Sequence, residues 1–218
     1  MSVFRSVWHF RKLGQGEPKE GVNPAVIKPG VNGLVRETIQ NAWDRKSEGS
    51  KVRVEYEILE LTGTQLEEFK SAIGCQDLNG HLEEISKQDN HERHRAKQAL
   101  KDLASGRILL LVVRDHGTGG LDGPEFSGFK AQGNFTKFAR DSMVPTQGMG
   151  GGSFRIGKSV LWNNSRIRSV VMSSRFRGEN GEQSRVFGRT YLPTHYLSNG
   201  RDMEPYSGHG DRKSTRLN

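Results

Sequence analysis

Residues 107–115, "RILLLVVRD", form a continuous apolar run closed by a carboxylate, and three of the four residues after His116 are glycines. A run of this length, bounded by charge and glycine and with no helical spacing of polar positions, predicts a strand buried on both faces. Such a strand needs cover above and below, so it demands further strands and a helical layer. It also places Asp115 at a strand mouth, beside a backbone that Gly117, Gly119 and Gly120 leave open to close approach by a ligand.

The partners for that strand are visible nearby. "KVRVEYEILEL" alternates Val52, Val54, Tyr56 and Ile58 with polar residues, the signature of a half-buried strand. "RIRSVVMSSRF" and "SRVFGRTYL", separated by the turn-like "RGENGEQ", supply two more, which makes four expected strands. Between the first two lie "TGTQLEEFKSAI" and "HLEEISKQDNHERHRAKQALKDLASG", charged and helix-rich, the second expected to stop at Gly106 in the position after the C-cap. His91 and His94 in "HERH" are one turn apart, but without further ligands they predict a solvated face rather than a metal site. Residues 14–33, dense in glycine and proline, read as a loop entering a helix, with residues 1–29 as an N-terminal extension.

At 218 residues the chain suits one domain or at most two. It holds no stretch of 18 apolar residues, and "MSVFRSVWHF" lacks the apolar block of a signal peptide, so a cytoplasmic location without membrane contact is expected. Cys75 stands alone, which excludes an intrachain disulfide framework, and nothing in "SAIGCQDLNG" would lower a thiol pKa. The net charge of +8 is uneven. Residues 130–190 carry eleven Lys and Arg against three acids, whereas residues 61–129 carry eight against eleven. The basic segment reads as a solvated face, a phosphate site or a nucleic-acid surface.

That segment contains "GGGSFRIGKSVLW", in which Gly152, Gly157, Lys158 and Ser159 match G-x-x-x-x-G-K-S. A phosphate-cradling P-loop needs a buried strand running in and a helix running out. The preceding "FARDSMVPTQGM" has no apolar run of strand length, so the strand is missing. A P-loop enzyme also carries its magnesium-holding acid downstream of the loop, and here Asp115 comes first.

"NGLVRETIQNAWDRKSEG" places Glu37, Asn41 and Asp44 at i, i+4 and i+7, within about 60° of one helix face at 100° per residue. Such a face is commonly only a polar stripe. A divalent-metal phosphate site, however, requires hard oxygen ligands and a carboxylate that can take a proton from water, and Glu37 and Asn41 suit those two tasks.

Taken in order, "RETIQNAWD", "RDHGTGG" and "GMGGGSFRIGKS" resemble the three nucleotide-binding motifs of the GHKL superfamily, which includes DNA gyrase in its ATP-binding chain, the large heat-shock chaperone, MutL and the sensor histidine kinases. The resemblance spans residues 30–192. More narrowly, "LVRETIQNAWD" with "GGSFRIGKS" is similar to bacterial Hsp-ninety-like ATPases of large multi-domain proteins, some linked to phage defence. It implies an α+β fold, a two-layer α/β sandwich of Bergerat type in which a mixed, mostly antiparallel sheet packs on helices. Residues 30–197 would form the ATP-binding domain, with a mobile lid at 121–157. The cofactors implied are ATP and magnesium: Glu37 as general base, Asn41 as metal ligand, Asp44 as support, Asp115 as acceptor of the adenine amino group, and Gly117 and Gly119 shaping the base pocket. Thr190 corresponds to a strand threonine near that aspartate, and Gly152, Arg155, Gly157 and Lys158 fall to the phosphate end. Arg155 departs from the glycine common there, which favours a side chain that reaches a phosphate.

Hydrolysing members continue into a second domain that returns a lysine to the γ-phosphate, whereas this chain stops at Asn218. Residues 198–218 read as an irregular tail, with "DRKSTRLN" resembling translated adapter sequence, and the chain as a piece of a longer protein. Three function classes stay open: a slow ATPase whose lid closure gates homodimerisation, a phosphotransferase, which Glu37 argues against, and a nucleotide-gated or DNA-binding module. A DNA or defence-system protein would be engaged through further C-terminal domains.

Overall fold

A computed structural model describes residues 6–14, 30–89, 92–124, 133–136, 138, 159–178, 181–198 and 200–214. The described elements run in the order β1 (Ser6–Lys12), α1 (Val31–Trp43), β2 (Arg53–Thr62), α2 (Gly63–Ala72), α3 (Cys75–Lys87), α4 (Arg93–Ala104), β3 (Arg107–His116), α5 (Ser159–Asn164), β4 (Ser169–Gly178), β5 (Gly181–Tyr191), β6 (His195–Ser198) and β7 (Met203–Ser214). The class is α+β, as expected, and every described strand pairing is antiparallel.

The strands form two sheets rather than one. β1-β7-β5-β4 make a sheet with β6 added on β7, and β2-β3 pair by themselves. This corrects the expectation of a central strand at 107–115. Among the described residues, Arg107 to His116 pair only with β2, from Arg53↔His116 to Thr62↔Arg107, and Leu109 is 62% exposed. The apolar run is continuous because alternate residues have different tasks. Ile108 packs against the main core, whereas Leu109 and Leu111 point to solvent with Ile58.

The expected irregular tail is also corrected over residues 203–214. β7 lies inside the larger sheet and pairs with β1, β5 and β6. Its glycines hide it from a search for alternating apolar residues, and they are there for space. Gly208 (φ +82°) passes the Leu192 carbonyl oxygen too closely for a side chain, and a Cβ at Gly210 would meet Thr190 and Phe10. β1, within the supposed extension, joins this same sheet through β7.

The core lies between the helices and this sheet. Leu78, Leu82 and Ile85 of α3 and Ala96, Ala99 and Leu103 of α4 pack together with Ile73, Cys75 and Leu192, and Phe10 of β1 closes against them. Trp8 anchors the layer by donating its indole N–H to the Ile73 carbonyl at 2.7 Å. α4 stops where expected, but not through a left-handed glycine. Ser105 turns extended and its hydroxyl donates to the Asp102 carbonyl at 2.6 Å. No helix among the described residues is long and apolar enough to cross a membrane.

Candidate functional site

α1 begins after Gly30 and mixes an acid into its buried side and apolar residues into its exposed side. Leu34, Glu37 and Ala42 are buried, with Glu37 only 4% exposed, whereas Ile39 and Trp43 on the other side are 47% and 63% exposed. Burying a carboxylate is costly unless it is paired or hydrogen-bonded, and Glu37 has an interaction of this kind. Asn41 is half-buried and Asp44 exposed, so the expected trio runs from the interior to solvent along one face. Thr38 tightens the helix by donating to the Leu34 carbonyl at 2.8 Å, and its hydroxyl meets that of Tyr56 on β2 at 2.6 Å.

The second motif is tied to the end of this helix. The Ser47 amide donates to the Gly117 carbonyl, and the Gly119 amide to the Arg45 carbonyl, each at 2.9 Å, around a bridge between Lys46 and Thr118. Gly117 (φ +74°) packs so closely on Lys51 that a Cβ would run into its carbonyl oxygen. Gly120 (φ +69°) stands in the same relation to Arg175 on β4, and the next amide, Leu121, donates to Ser174 Oγ at 2.8 Å. The loop therefore joins the small sheet to the large one while lying against α1. Gly119 has no such constraint, with open space where its Cβ would be. Asp115 is exposed rather than buried at a strand mouth, and its carboxylate accepts from Thr118 Oγ1 at 2.7 Å.

Gly152, Arg155, Gly157 and Lys158 lie outside the described residues. The chain is described again from Ser159, where α5 starts, and Val160 is buried against the first turn of α1, 3.5 Å from the position of a Cβ on Gly33. The motifs thus meet α1 at different points, the second at its C-terminal end and the chain leaving the third at its N-terminal end. Thr190 does not join them. It is fully buried in β5 and donates to the Arg168 carbonyl at 3.0 Å, on the five-stranded sheet, whereas Asp115 is on the two-stranded one.

Two short pieces of the expected lid are described. Gly133–Thr136 returns to Leu121–Gly123: the Phe135 amide donates to the Asp122 carbonyl at 2.9 Å and the Asn134 amide to Asp122 Oδ1 at 2.9 Å. Phe135 is fully buried against Phe187. Arg185 lies over the Phe135 ring and donates to the carbonyls of Leu121 and Gly123.

Of the six described basic residues in the 130–190 segment, four are engaged within the fold. Arg168, in the left-handed region at φ 53°, makes a buried two-pronged pair with Glu92 at 2.7 and 3.3 Å and also donates to Asn163 Oδ1. Arg166 pairs with Asp102, and Arg189 with Asp211. Arg95 donates to the Asn163 and Ser165 carbonyls, and burial beside Arg168 lowers its pKa. Arg175 and Arg177 remain exposed on β4. Burial pushes the Cys75 thiol up to about 11, which suits a packing role. No group of three His, Cys, Asp or Glu among the described residues forms a ready metal cluster. Of the histidine pair, His94 is exposed on α4 as expected, and His91 lies outside the described residues.

Sequence reasoning missed Arg45, Lys46, Ser47 and Lys51, whose backbones hold the glycine loop. The polar, turn-rich "DRKSEGSK" marks a turn without showing what it contacts. It also missed Glu92, because nothing in a single chain links it to Arg168. Searches of protein-family models, curated proteins and solved structures find no match for the chain.

Proposed function

We propose that the chain is a magnesium-dependent ATP-binding domain of GHKL type that hydrolyses ATP slowly, with a Bergerat-type two-layer sandwich as its fold. The observation that carries this reading is the double backbone tie between the end of α1 and the 117–119 loop. Upstream on α1, Glu37 is buried and Asn41 and Asp44 continue the same face toward this tie. ATP would lie along this face. Asp115 would accept the adenine amino hydrogen bond in place of the one it takes from Thr118, and Gly117 and Gly119 would border the base. Asn41 supplies a hard oxygen for magnesium, the rest of its ligands coming from phosphates and water. Magnesium neutralises phosphate charge when bound. Glu37 would accept a proton from an attacking water. Arg155 and Lys158, with Gly152 and Gly157, would complete the phosphate end.

Lid closure over residues 121–157 would then gate homodimerisation, or contacts with DNA or a protein partner. Titrating a fluorescent ATP analogue with and without magnesium tests the reading directly. Saturable binding strengthened by magnesium supports it, and no binding in either condition contradicts it. Release of inorganic phosphate separates a hydrolysing domain from a nucleotide-gated module.

A further inference from the structure

Two histidines far apart in sequence meet in the core, well away from the motifs above. His81 of α3 and His195 of β6 are both buried, and His81 Nδ1 lies 2.6 Å from His195 Nε2. His195 Nδ1 lies 2.8 Å from the Pro193 carbonyl. A carbonyl only accepts, so His195 carries its proton on Nδ1 and leaves Nε2 as a lone pair. His81 must then donate from Nδ1. Both tautomers follow from this chain of donors, and both rings are neutral within it.

The rings are enclosed by four elements. Phe10 of β1 stacks on His81 at 3.5 Å between centroids, and Tyr206 of β7 meets His81 edge-on at 5.2 Å and stacks with His195 at 6.0 Å. The charged groups around them are Glu84 on α3, whose field acts on His195, and the Lys12–Glu204 ion pair, joined by the Tyr206 hydroxyl at 3.1 Å from Glu204. Lys12 is on β1 and Glu204 on β7, so this pair closes the outer side of the cluster. No carboxylate pairs with either imidazole in a described ion pair.

We propose that the His81–His195 pair is a proton-sensitive latch that fastens α3 to the β6–β7 side of the larger sheet, closed when both rings are neutral and opened by acid. A first extra proton would go to His81 Nε2 and put a charge into a site enclosed by Phe10 and Tyr206, which burial opposes. A second must go to His195 Nε2, which then has no lone pair to offer, and two imidazolium rings face each other. Burial pushes His81 down to about 3 and lowers His195 as well. Below pH 6.5 the unfolded chain therefore binds protons that the folded chain refuses. Stability is complete above pH 6.5 and falls as the pH drops toward 3.

The test follows the intact chain from pH 7.5 to 4.5 by histidine ring NMR, by amide hydrogen exchange of α3 and β6, and by denaturant unfolding. Between pH 6.5 and 4.5 the folding constant should fall about fiftyfold through His81 alone, approaching the tenfold per pH unit of one refused proton at the acid end. Exchange should rise first in residues 75–87 and 195–198. In His81→Gln that fall should shrink by the same factor. Ring signals of both histidines titrating near 6.5, with exchange of α3 unchanged, would overturn the latch. So would a His81→Gln profile that superimposes on the parent's. If His81→Gln does not fold, the ring titration of the parent decides alone.

Discussion

The Gly119 amide donates to the Arg45 carbonyl at 2.9 Å, and through this contact a strand-end loop of the small sheet is fastened to the turn that follows α1. The neighbouring Ser47–Gly117 bond duplicates it. Neither bond uses a side chain, so the arrangement depends on backbone conformation, and that conformation depends on glycine.

Gly117→Ala is therefore expected to cost about 1–3 kcal/mol, the range for a side chain forced into a strained left-handed position, with further loss as the new Cβ pushes on the Lys51 carbonyl. Gly119→Ala, where the space is open, should be nearly neutral in stability. Chemical denaturation of the two variants checks the contrast, and equal losses would show that the loop is not held as described.

Glu37→Ala should keep magnesium-ATP binding and lose hydrolysis by roughly two to four orders of magnitude, the worth of a positioned general base. Asn41→Ala should instead lose the dependence of binding on magnesium. Phosphate release and ATP titration, measured on both variants, separate the two roles. A Glu37→Ala protein that hydrolyses like the parent would remove the catalytic assignment.

Removing one partner of the buried Arg168–Glu92 pair leaves an uncompensated charge, so Glu92→Ala should destabilise by about 3–5 kcal/mol. The pair fixes the turn before β4 on which Thr190 depends for its acceptor. A midpoint of unfolding unchanged by Glu92→Ala would contradict the burial.

How much of this is legible in the sequence differs by element. The alternation in "KVRVEYEILEL" identifies β2, and helical charge patterning identifies the α3–α4 region. The apolar run of β3 misleads, because a continuous run is also what a strand shows when one face packs and the other is left open, as Ile108 and Leu109 do. β7 is hidden because Gly208 and Gly210 satisfy close backbone contacts that only the folded sheet creates. At the candidate site, Glu37, Asn41 and Asp44 share a face as their spacing requires. The exposure of Asp115 and the separation of Thr190 onto the other sheet depend on how strands pair over long range, which local pattern does not encode.

The central claim is that ATP binds where Asp115 and the 117–119 loop adjoin α1. Its most direct test is the ATP dissociation constant of Asp115→Asn beside that of the parent, with circular dichroism showing both equally folded. The substitution keeps the side-chain shape but turns part of an acceptor into a donor facing the adenine amino group, a change worth about 1–3 kcal/mol once bound ATP covers the side chain. The account predicts binding weakened at least about tenfold, since each 1.4 kcal/mol is a factor of ten. An unchanged dissociation constant in a folded Asp115→Asn protein would contradict it.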